Sequence, residues 1–589
     1  MSDYKSFFIH FMGGSTLVHQ HTVFYAAIVV FCGSLFGVTA VCAQALPPTV
    51  VSDANRSSPT SFDSPTKSQR LVADGEQVLV KGFTFSGNSI LPSAELERML
   101  AHYANRMLDM AAFDAAAELI TARYQALGYS VARAFFPSQK SKNGVMQIHI
   151  YEGRIGALTI KNSSAVQQDR LFQTMTNNLC EIDDGKDCIS KLIHAEGLER
   201  ALLTVRDMPG ITATMNFKPS QTIGASDLEV EVKDTKRQAY TLGIDNFGLA
   251  ATGVIRLNAN ADMNNLRGDG DQLSLALATT TLTHTQTGGG SYQLPVGYEG
   301  QRVGLAFSRN QYRLGAAGFS TTQSHGISNA LSVFTAYPVV RSIAGSLYAR
   351  LSGEVRGGVN NVEAASASYK TRIHVVRLGL NGDHADIWGG GGFNLYGFTW
   401  SSGFSATNDP VDSTASGAQT AGSFYKLAYN FERRQTLTGS LSAVGTINGQ
   451  RSVKNLDGSE QIGLGGPASV RGYSGEAGGS TGASGMLELR YSQHFQLGEQ
   501  PSLAIYGVFM DRGWVQLYQY PPLGMTDPNT RALSSYGATL TVQSQPQVPT
   551  PTSRSYFLRA MYGKHSAMQP SSVDPTSKSK LWLQAGMSF

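Results

Sequence analysis

The sequence predicts a membrane β-barrel preceded by two small α+β domains, and three observations support this. Only 15% of the 589 residues are charged and Gly reaches 63, which suits barrel strands that are never uniformly hydrophobic. From about residue 238 onward, apolar and polar side chains alternate with the period of two of a strand. Residues 77–234 carry two β-α-α-β-β patterns that repeat at roughly 78 residues. A large soluble all-β protein has a similar composition, so composition alone does not decide.

The N-terminus predicts an export signal followed by a linker. Residues 23–41 are largely apolar and Ala43-Gln44-Ala45 is a cleavage site of the A-x-A type, so residues 1–45 are interpreted as a signal peptide. Residues 46–76 are rich in Ser, Pro, Thr and Asp and lack periodicity, which is typical of a flexible linker.

The first α+β domain is predicted at 77–152 and the second at 153–234. The expected elements of the first are a strand at 78–85, a helix from 92, a helix at 111–127 that ends at Gly128, and strands at 131–136 and 145–151. Those of the second are a strand at 158–160, helices at 171–179 and 193–205, and strands at 211–217 and 228–232. The linker ends where this periodicity begins.

Two cysteines remain after removal of the signal peptide. Cys180 and Cys188 flank seven residues between the two helices of the second domain. In an oxidising compartment this pair is expected to close a small loop as a disulfide. Two thiols at this spacing lack the partner Cys or His pair of a zinc site, so no metal is predicted there.

The remaining residues, 235–589, are predicted to form the barrel. In the last ten residues Leu581, Leu583 and Phe589 share one strand face, whereas Trp582 shares the other with polar or small residues. About 350 residues at roughly 10 per strand plus turns allow a barrel in the mid-teens of strands. The Gly/Ser/Thr-rich segments 280–290, 403–417 and 521–534 are expected to be loops on the outer side of the membrane.

One pair of motifs suggests a contact inside the barrel. The segment Val470-Arg471-Gly472-Tyr473 follows a glycine-rich stretch and carries one permanent positive charge. Phe509-Met510-Asp511-Arg512-Gly513 lies on a predicted strand whose period of two places Phe509, Asp511 and Gly513 on one face. We call a pairing of Arg471 with Asp511 the latch. From the residues alone, a solvent-exposed loop arginine and a turn aspartate are favoured over the latch.

These segments together resemble a known family. The tandem domains look like POTRA domains, and the barrel resembles the TpsB transporters of two-partner secretion, to which haemolysin and filamentous haemagglutinin secretion proteins belong. The resemblance rests on many stretches in the right order: 245–248, 264–271, 292–297, 337–342, 449–450, 459–461 and 470–473. It implies sixteen antiparallel strands and a loop around 455–485 that folds into the lumen, with Val470, Arg471, Gly472 and Tyr473 at its tip and Phe509, Asp511 and Gly513 on the wall.

The resemblance also implies location and partners. The barrel is expected in the outer membrane of a Gram-negative bacterium, embedded in the lipid bilayer, with the POTRA domains in the periplasm. The expected partner is a secreted TpsA-type exoprotein of the haemolysin or adhesin kind. The aromatic C-terminal residue Phe589 resembles the signal that the outer-membrane assembly machinery reads. Alternatives are a barrel-assembly insertase of the BamA/TamA type and a passive porin.

Catalytic and cofactor sites are not predicted. Ser423-Phe424-Tyr425-Lys426 matches an S-x-x-K string, but it falls in a strand-like run without the partner motifs of a serine acylase. Gly268-Asp269-Gly270-Asp271 is explained better by a tight turn than by calcium. A net charge of +4 is too small to indicate nucleic acid. We therefore expect no enzyme activity, no cofactor, no metal and no nucleic-acid partner.

Overall fold

A computed structural model describes residues 77–139, 143–180, 188–281, 284–315, 323–475, 477–544, 554–566 and 577–589. The predicted signal peptide at 1–45 and the predicted linker at 46–76 both lie outside these ranges. Among the helices of the described ranges, none is both long and apolar enough to cross a membrane.

The first α+β domain contains five short strands and two helices. They are β1 (Val78–Val80), β2 (Gly82–Ser86), α1 (Ser93–Met99), β3 (Arg106–Leu108), α2 (Met110–Ala126), β4 (Arg133–Phe135) and β5 (Val145–Tyr151). Helix α2 begins where the Asp109 side chain accepts a hydrogen bond from the Ala112 amide at 2.9 Å, an N-cap that satisfies a free amide. The sheet order is β2–β5–β4, and the helices bury their apolar faces on it.

The predicted first strand is divided in the structure. Val78–Val80 pairs with β3, whereas Gly82–Ser86 pairs in parallel with β5. The Lys81 amide between them donates to the Gly144 carbonyl, so the chain passes from one sheet to the other at this residue. A single run of alternating apolar residues does not reveal this change of partner.

The second domain repeats the order and is followed directly by the barrel. Its elements are β6 (Arg154–Ser163), α3 (Gln168–Leu179), α4 (Ala195–Arg206), β7 (Ile211–Pro219) and β8 (Ala225–Asp234). The sheet order is β6–β8–β7, with β6 parallel and β7 antiparallel to β8. A disulfide joins Cys180 and Cys188, whose Cα atoms are 5.8 Å apart, and both cysteines pack beside Leu198 of α4.

A buried carboxylate lies at the boundary between the first domain and the second. Glu152, at the end of β5, accepts hydrogen bonds from the Ser89 amide at 2.5 Å, the Ile90 amide at 2.8 Å and the Tyr124 hydroxyl at 3.1 Å, and also from the Ser89 hydroxyl. Burial and, after it, the charge of Glu152 raise the pKa of Tyr124, so this hydroxyl remains a donor at neutral pH. The carboxylate therefore ties the β2–α1 turn and helix α2 to the domain boundary.

Sixteen antiparallel strands close into the barrel, as predicted. They are β9 (Gln238–Asp245), β10 (Arg256–Asn264), β11 (Gln272–Thr280), β12 (Thr285–Pro295), β13 (Arg302–Arg313), β14 (Ser324–Arg341), β15 (Gly345–Val362), β16 (Ala367–Asp386), β17 (Gly392–Thr407), β18 (Gly422–Thr438), β19 (Leu441–Ser452), β22 (Thr481–Leu497), β23 (Gln500–Gln516), β24 (Thr530–Ser544), β25 (Ser555–His565) and β26 (Ser579–Ser588). The short strands β20 (Ile462–Leu464) and β21 (Ala477–Gly479) pair with each other in the loop between β19 and β22.

The alternation predicted from the sequence separates the two barrel surfaces. On β26, Leu581 and Leu583 are 48% and 46% exposed on the outside, whereas Trp582 between them is 2% exposed on the inside. Strand β26 closes the barrel against β9, and Phe589 and Tyr240 exchange two backbone hydrogen bonds of 2.9 Å beyond the last ladder pair. Closure leaves no open sheet edge in the hydrocarbon, where unpaired backbone groups are costly.

The loop predicted at 280–290 is wrong for most of its length, because β12 begins at Thr285. Its glycines lie in the sheet under leucines of β11: a Cβ atom on Gly290 would come within 2.8 Å of Leu275, and one on Gly288 within 3.1 Å of Leu277. Glycine here provides space for neighbouring side chains instead of forming a turn. The other two predicted loops are displaced in the structure, to 408–421 and 517–529, because 403–407 belongs to β17 and 530–534 to β24.

Replacing Glu152 by Ala is expected to destabilise the first α+β domain. The change leaves several buried donors without an acceptor, at a cost of at least about 3 kcal/mol. Proteolysis of the full chain in increasing urea should cleave residues 77–152 at a lower urea concentration while the barrel stays heat-modifiable. Glu97→Ala, which removes an exposed carboxylate of α1, is the control; equal sensitivity of the two variants would contradict the role given to Glu152.

Candidate functional site

The loop between β19 and β22, residues 453–480, folds into the barrel and brings Arg471 to the wall. Val470 is fully buried, Tyr473 is 1% exposed and Arg471 is 5% exposed. Residues 481–485, which the sequence placed in this loop, belong to β22. The loop therefore reaches the interior with its charged tip enclosed by protein.

The guanidinium of Arg471 meets Asp511 of β23 in a two-pronged ion pair. Its Nε donates to Oδ2 of Asp511 at 3.0 Å and its Nη2 donates to Oδ1 at 2.8 Å. The Arg471 backbone amide donates to Oδ2 as well, at 2.9 Å. This geometry fixes both the side chain and the backbone of the loop tip, because a planar guanidinium and a carboxylate match in two parallel bonds.

A second carboxylate, Glu488 of β22, also accepts a hydrogen bond from Arg471. Glu488 accepts further bonds from Arg490 at 2.8 Å and from the Thr539 hydroxyl at 3.0 Å. The cluster thus balances two arginines against two carboxylates, which limits the cost of burying each charge. The Phe509 ring lies 3.5 Å from the Arg471 Cζ atom, so the cation is stacked on an aromatic face as well.

The wall also binds the backbone of the loop tip. The Gly472 amide donates to Ser535 of β24 at 3.0 Å, and its carbonyl oxygen is 2.9 Å from Nε2 of His565 of β25. Trp582 of β26 donates its indole N–H to the Arg471 carbonyl at 2.7 Å. The Tyr473 ring stacks on His565 with centroids 3.7 Å apart. Together with Glu488 of β22, five consecutive strands, β22 to β26, therefore contact the tip.

Two glycines make room for this contact. A Cβ atom on Gly563 would lie 2.7 Å from the Arg471 carbonyl carbon and the Gly472 nitrogen, so the loop backbone lies directly over this residue. Gly513, expected from the sequence to admit the loop backbone, instead admits the Leu464 side chain, whose Cδ1 would be 2.6 Å from such a Cβ. Leu464 belongs to an apolar cluster with Val470, Tyr473 and Val515.

A second ionic cluster anchors the loop at another sector of the wall. Glu460, 2% exposed in the turn Gly458–Glu460, contacts three cations, at 3.2 Å to Arg356 of β15, 2.8 Å to Arg377 of β16 and 2.7 Å to Lys426 of β18. Glu354 of β15 binds the two arginines from the wall itself. The loop is therefore held at β15–β18 through Glu460 and at β22–β26 through Arg471, and it crosses the lumen between them.

The second α+β domain contacts the turns at the end of the barrel from which β9 starts. Asp207, which caps α4, accepts two hydrogen bonds of 2.8 Å from Arg341 at the end of β14, and a third of 3.2 Å from the Tyr348 hydroxyl. Asn178 of α3 donates to the Tyr298 carbonyl at 2.8 Å. These contacts position the domain directly below the barrel opening.

The motifs set aside in the sequence have structural positions too. The segment Gly268–Asp271 forms a turn in which both glycines have φ of +82°, and the Gly268 carbonyl accepts the Gln167 amide of the second domain at 2.9 Å. Lys426 of the S-x-x-K string faces inward and binds Glu460. In the described residues, no group of three or more His, Cys, Asp or Glu is arranged to hold a metal ion.

Sequence reasoning placed Arg471 near Asp511 but missed most of the surrounding residues. Glu488 faces Phe509 across the β22–β23 ladder, so its inward position follows from the alternation once the register is known. No motif marks the other contacts of the tip, which lie far from Arg471 in the sequence: Ser535 is 64 positions away, His565 is 94 and Trp582 is 111. The sequence predicted that Trp582 faces the lumen. A large ring at an inward position could have indicated that Trp582 contacts the loop.

Comparison with known proteins agrees with this architecture. The profile of the family described as haemolysin secretion/activation protein ShlB/FhaC/HecB matches residues 224–532, and that of the ShlB-type POTRA domain matches residues 78–153. The heme/hemopexin transporter protein HuxB of Haemophilus influenzae (strain 86-028NP) is 25% identical over 506 residues, which cover 85% of each chain. The outer membrane transporter CdiB of Dickeya dadantii (strain 3937) is 26% identical over 432 residues, 70% of this chain and 72% of that one.

A solved structure shows the same fold. The structure of CdiB from Escherichia coli superposes with a TM-score of 0.68 at 20% sequence identity, over 91% of this chain and 94% of that chain. At this level of identity the likeness concerns the arrangement of the barrel and the α+β domains.

Replacing Glu460 by Gln is expected to release the loop from the β15–β18 sector. Three buried cations then lose the negative charge that they share. Breaking a buried ion pair costs roughly 3–5 kcal/mol, and we expect a similar loss of loop stability here. A looser loop should raise the open fraction of single channels in planar bilayers while the barrel stays heat-modifiable. Glu354→Gln removes the same charge from the same cluster without touching the loop, so equal conductance in the two variants would contradict the anchoring role of Glu460.

Proposed function

The chain belongs to the haemolysin secretion/activation protein family, and on this premise we propose that it takes up an unfolded exoprotein in the periplasm and passes it through the barrel to the cell surface. It is an outer-membrane transporter of two-partner secretion, with its POTRA domains in the periplasm. Members of this family work with TpsA-type exoproteins. A closed sixteen-stranded barrel with its own loop folded across the lumen is the observation that carries the proposal.

The latch is the element of this pore that controls passage. Loop 453–480 occupies space that an extended polypeptide needs, so the loop has to move or be displaced during transport. The tip is held by directional hydrogen bonds between Arg471 and the two carboxylates, Asp511 and Glu488. Such bonds break over a short displacement, whereas apolar packing weakens gradually. The latch thus gives the loop two distinct positions, attached and released.

The POTRA domains are the docking region for the exoprotein. An exposed sheet edge accepts an extended peptide through backbone hydrogen bonds and requires few specific side chains, which suits an unfolded cargo. Strand β6 already bonds to residues 190–191 through the Ile155 amide and carbonyl. The edge strand on the opposite side, β7, extends over nine residues, Ile211–Pro219, and is the longest candidate edge of the two domains.

Transport is driven by folding of the cargo outside the cell. The sequence carries no nucleotide-binding motif, and the periplasm supplies no ATP. An exoprotein that folds into a β-helix as it emerges buries apolar surface, which makes its return through the pore unfavourable. A cargo of the haemolysin or adhesin type has this property.

Phe589 serves assembly of the barrel itself. It ends the last strand, pairs with Tyr240 through two 2.9 Å backbone hydrogen bonds and stacks near the Tyr240 ring at 5.8 Å. We assign to it the role of the C-terminal signal for the outer-membrane assembly machinery, which then acts at the strand that closes the barrel.

An insertase of the BamA/TamA type would instead act on other barrels, so its depletion would lower many outer-membrane proteins together.

Replacing Arg471 by Ala should reduce secretion strongly while leaving the barrel assembled. The variant loses a buried ion pair worth roughly 3–5 kcal/mol, which shifts the loop towards its released position by more than about a hundredfold. Secretion falls because transport needs the loop to return to its attached position as well as to leave it. Exoprotein in the medium, measured against barrel heat-modifiability, is expected to fall to roughly a tenth or less. Arg512→Ala, on the outer face of the same strand, is the control. Normal secretion from a destabilised barrel would assign the pair to stability alone.

Deleting residues 77–233 should abolish export and leave a heat-modifiable barrel. The barrel closes through its own strands, so it does not need the POTRA sheets for its hydrogen bonds. Surface and medium fractions should contain no exoprotein, and the periplasm should contain its degradation products. Export that persists after the deletion would refute docking at the POTRA domains.

A further inference from the structure

Four cations form a patch on the outer surface of the barrel. Arg309 and Arg313 lie on β13, and Lys370 and Arg372 lie on β16; all four side chains are exposed, and so is His374 next to them on β16. Each follows the alternation that places Phe307 and Val376, exposed to 50%, on the outside of the same strands. We call Arg309, Arg313, Lys370 and Arg372 the basic patch.

Sheet register brings the two strands of the patch to one level. Arg309 is paired with Asn329 of β14, which faces Gly357 of β15 and, through it, Arg372 of β16. Three strand spacings separate the two arginines, roughly 15 Å. The intervening residues at this level are Asn329 and Gly357, so no large side chain stands between Arg309 and Arg372.

The patch lies at the outer rim of the apolar belt. Strand β9 leaves the periplasmic POTRA domain at Gln238, so the antiparallel order places the end of β13 and the start of β16 on the extracellular side. The row directly below the patch consists of exposed apolar residues, Phe307, Leu331, Val355 and Phe404, with His374 among them. Cations begin at this level, where lipid headgroups start, and the outward apolar residues Ile327 and Val359 lie between the two halves of the patch one row higher.

The patch is not balanced by outward carboxylates. On the described extracellular halves of β13 to β16, the outward positions carry no Asp or Glu, because Glu354 faces the lumen, where it binds Arg356 and Arg377. Glu363, in the turn between β15 and β16, lies 3.7 Å from His325. Other outward cations of the upper barrel, Arg451, Arg512 and Lys564, lie one to a strand on β19, β23 and β25.

We propose that the basic patch binds the phosphate groups of lipopolysaccharide in the outer leaflet. This lipid carries phosphates on its headgroup directly above its acyl chains, so cations above exposed Phe and Leu match both parts. Arginine pairs with phosphate oxygens in two parallel bonds, and a cation near an anionic membrane surface contributes about 1 kcal/mol. The inference rests on the proposed function only for the membrane and the orientation of the barrel.

The binding would attach one sector of the barrel to the outer leaflet. Strands β15 and β16 of that sector also carry Arg356 and Arg377, which bind Glu460 of the loop from the inner face. Lipid on the outer face and loop on the inner face therefore share strand β16, which keeps this part of the wall in place while the latch sector, β22–β26, releases the tip.

The test compares two variants of the full-length chain in detergent. One replaces the patch, Arg309→Gln, Arg313→Gln, Lys370→Gln and Arg372→Gln; the other replaces the dispersed cations, Arg451→Gln, Arg512→Gln and Lys564→Gln. The probe is diphosphorylated lipid A, with dephosphorylated lipid A and phosphatidylglycerol as comparisons, and binding is followed by native mass spectrometry. Heat-modifiability verifies that each variant is folded.

The patch variant should bind diphosphorylated lipid A at least about tenfold more weakly than the unmodified chain, since each lost cation accounts for roughly fivefold. The dispersed-cation variant should keep its affinity within about twofold, because single cations, one to a strand, cannot hold one headgroup through several parallel bonds. Equal weakening in both variants, unchanged binding in the patch variant, or equal binding of the dephosphorylated lipid or phosphatidylglycerol would overturn the proposal. Secretion is measured in parallel. Loss of lipid binding with normal export in the patch variant supports the lipid site and leaves the transport function intact. An unmodified chain that binds lipid A but exports no exoprotein counts against the transport function alone.

Discussion

Closure of the sheet between β26 and β9 is the constraint on which the rest of the structure depends. Hydrocarbon offers no hydrogen-bond partner, so a sheet that crosses a membrane has to satisfy every backbone amide within itself. Once the sheet is closed, the period of two assigns each side chain to lipid or to lumen. Asp511, Glu488 and Trp582 face inward for this reason, and a loop that enters the lumen meets them without any further rearrangement.

The lumen places charged groups where solvent is limited, and the protein satisfies them in two separate clusters. Arg471 binds Asp511 and Glu488, while Glu460 binds three cations from β15, β16 and β18. Both clusters join the same loop to the wall, one at the turn Gly458–Glu460 and one at its tip. Ion pairs of this kind specify position more than they add stability, because desolvation offsets much of their attraction. A loop held mainly by such pairs is therefore well placed but can still be released.

The periplasmic side uses the same chemistry at a solvent-exposed boundary. Asp207 and Arg341 join the second POTRA domain to the barrel, and Glu152 joins the first domain to the boundary with the second. The path from docking edge to lumen consequently passes through contacts that are polar and specific in direction. Such contacts fix the direction of each domain relative to its neighbour.

The sequence by itself determined the barrel, the tandem α+β domains and the inward face of Asp511, since these follow from local periodicity and from motifs within one strand or loop. It also placed Arg471 at a loop tip. Only the tertiary structure decided that Glu488, Ser535, His565 and Trp582 surround this tip, that Gly563 admits its backbone, and that 285–290 is strand instead of loop. The physical reason is that these contacts depend on how strands far apart in sequence come side by side when the barrel closes, and alternation along one strand carries no information about its neighbours.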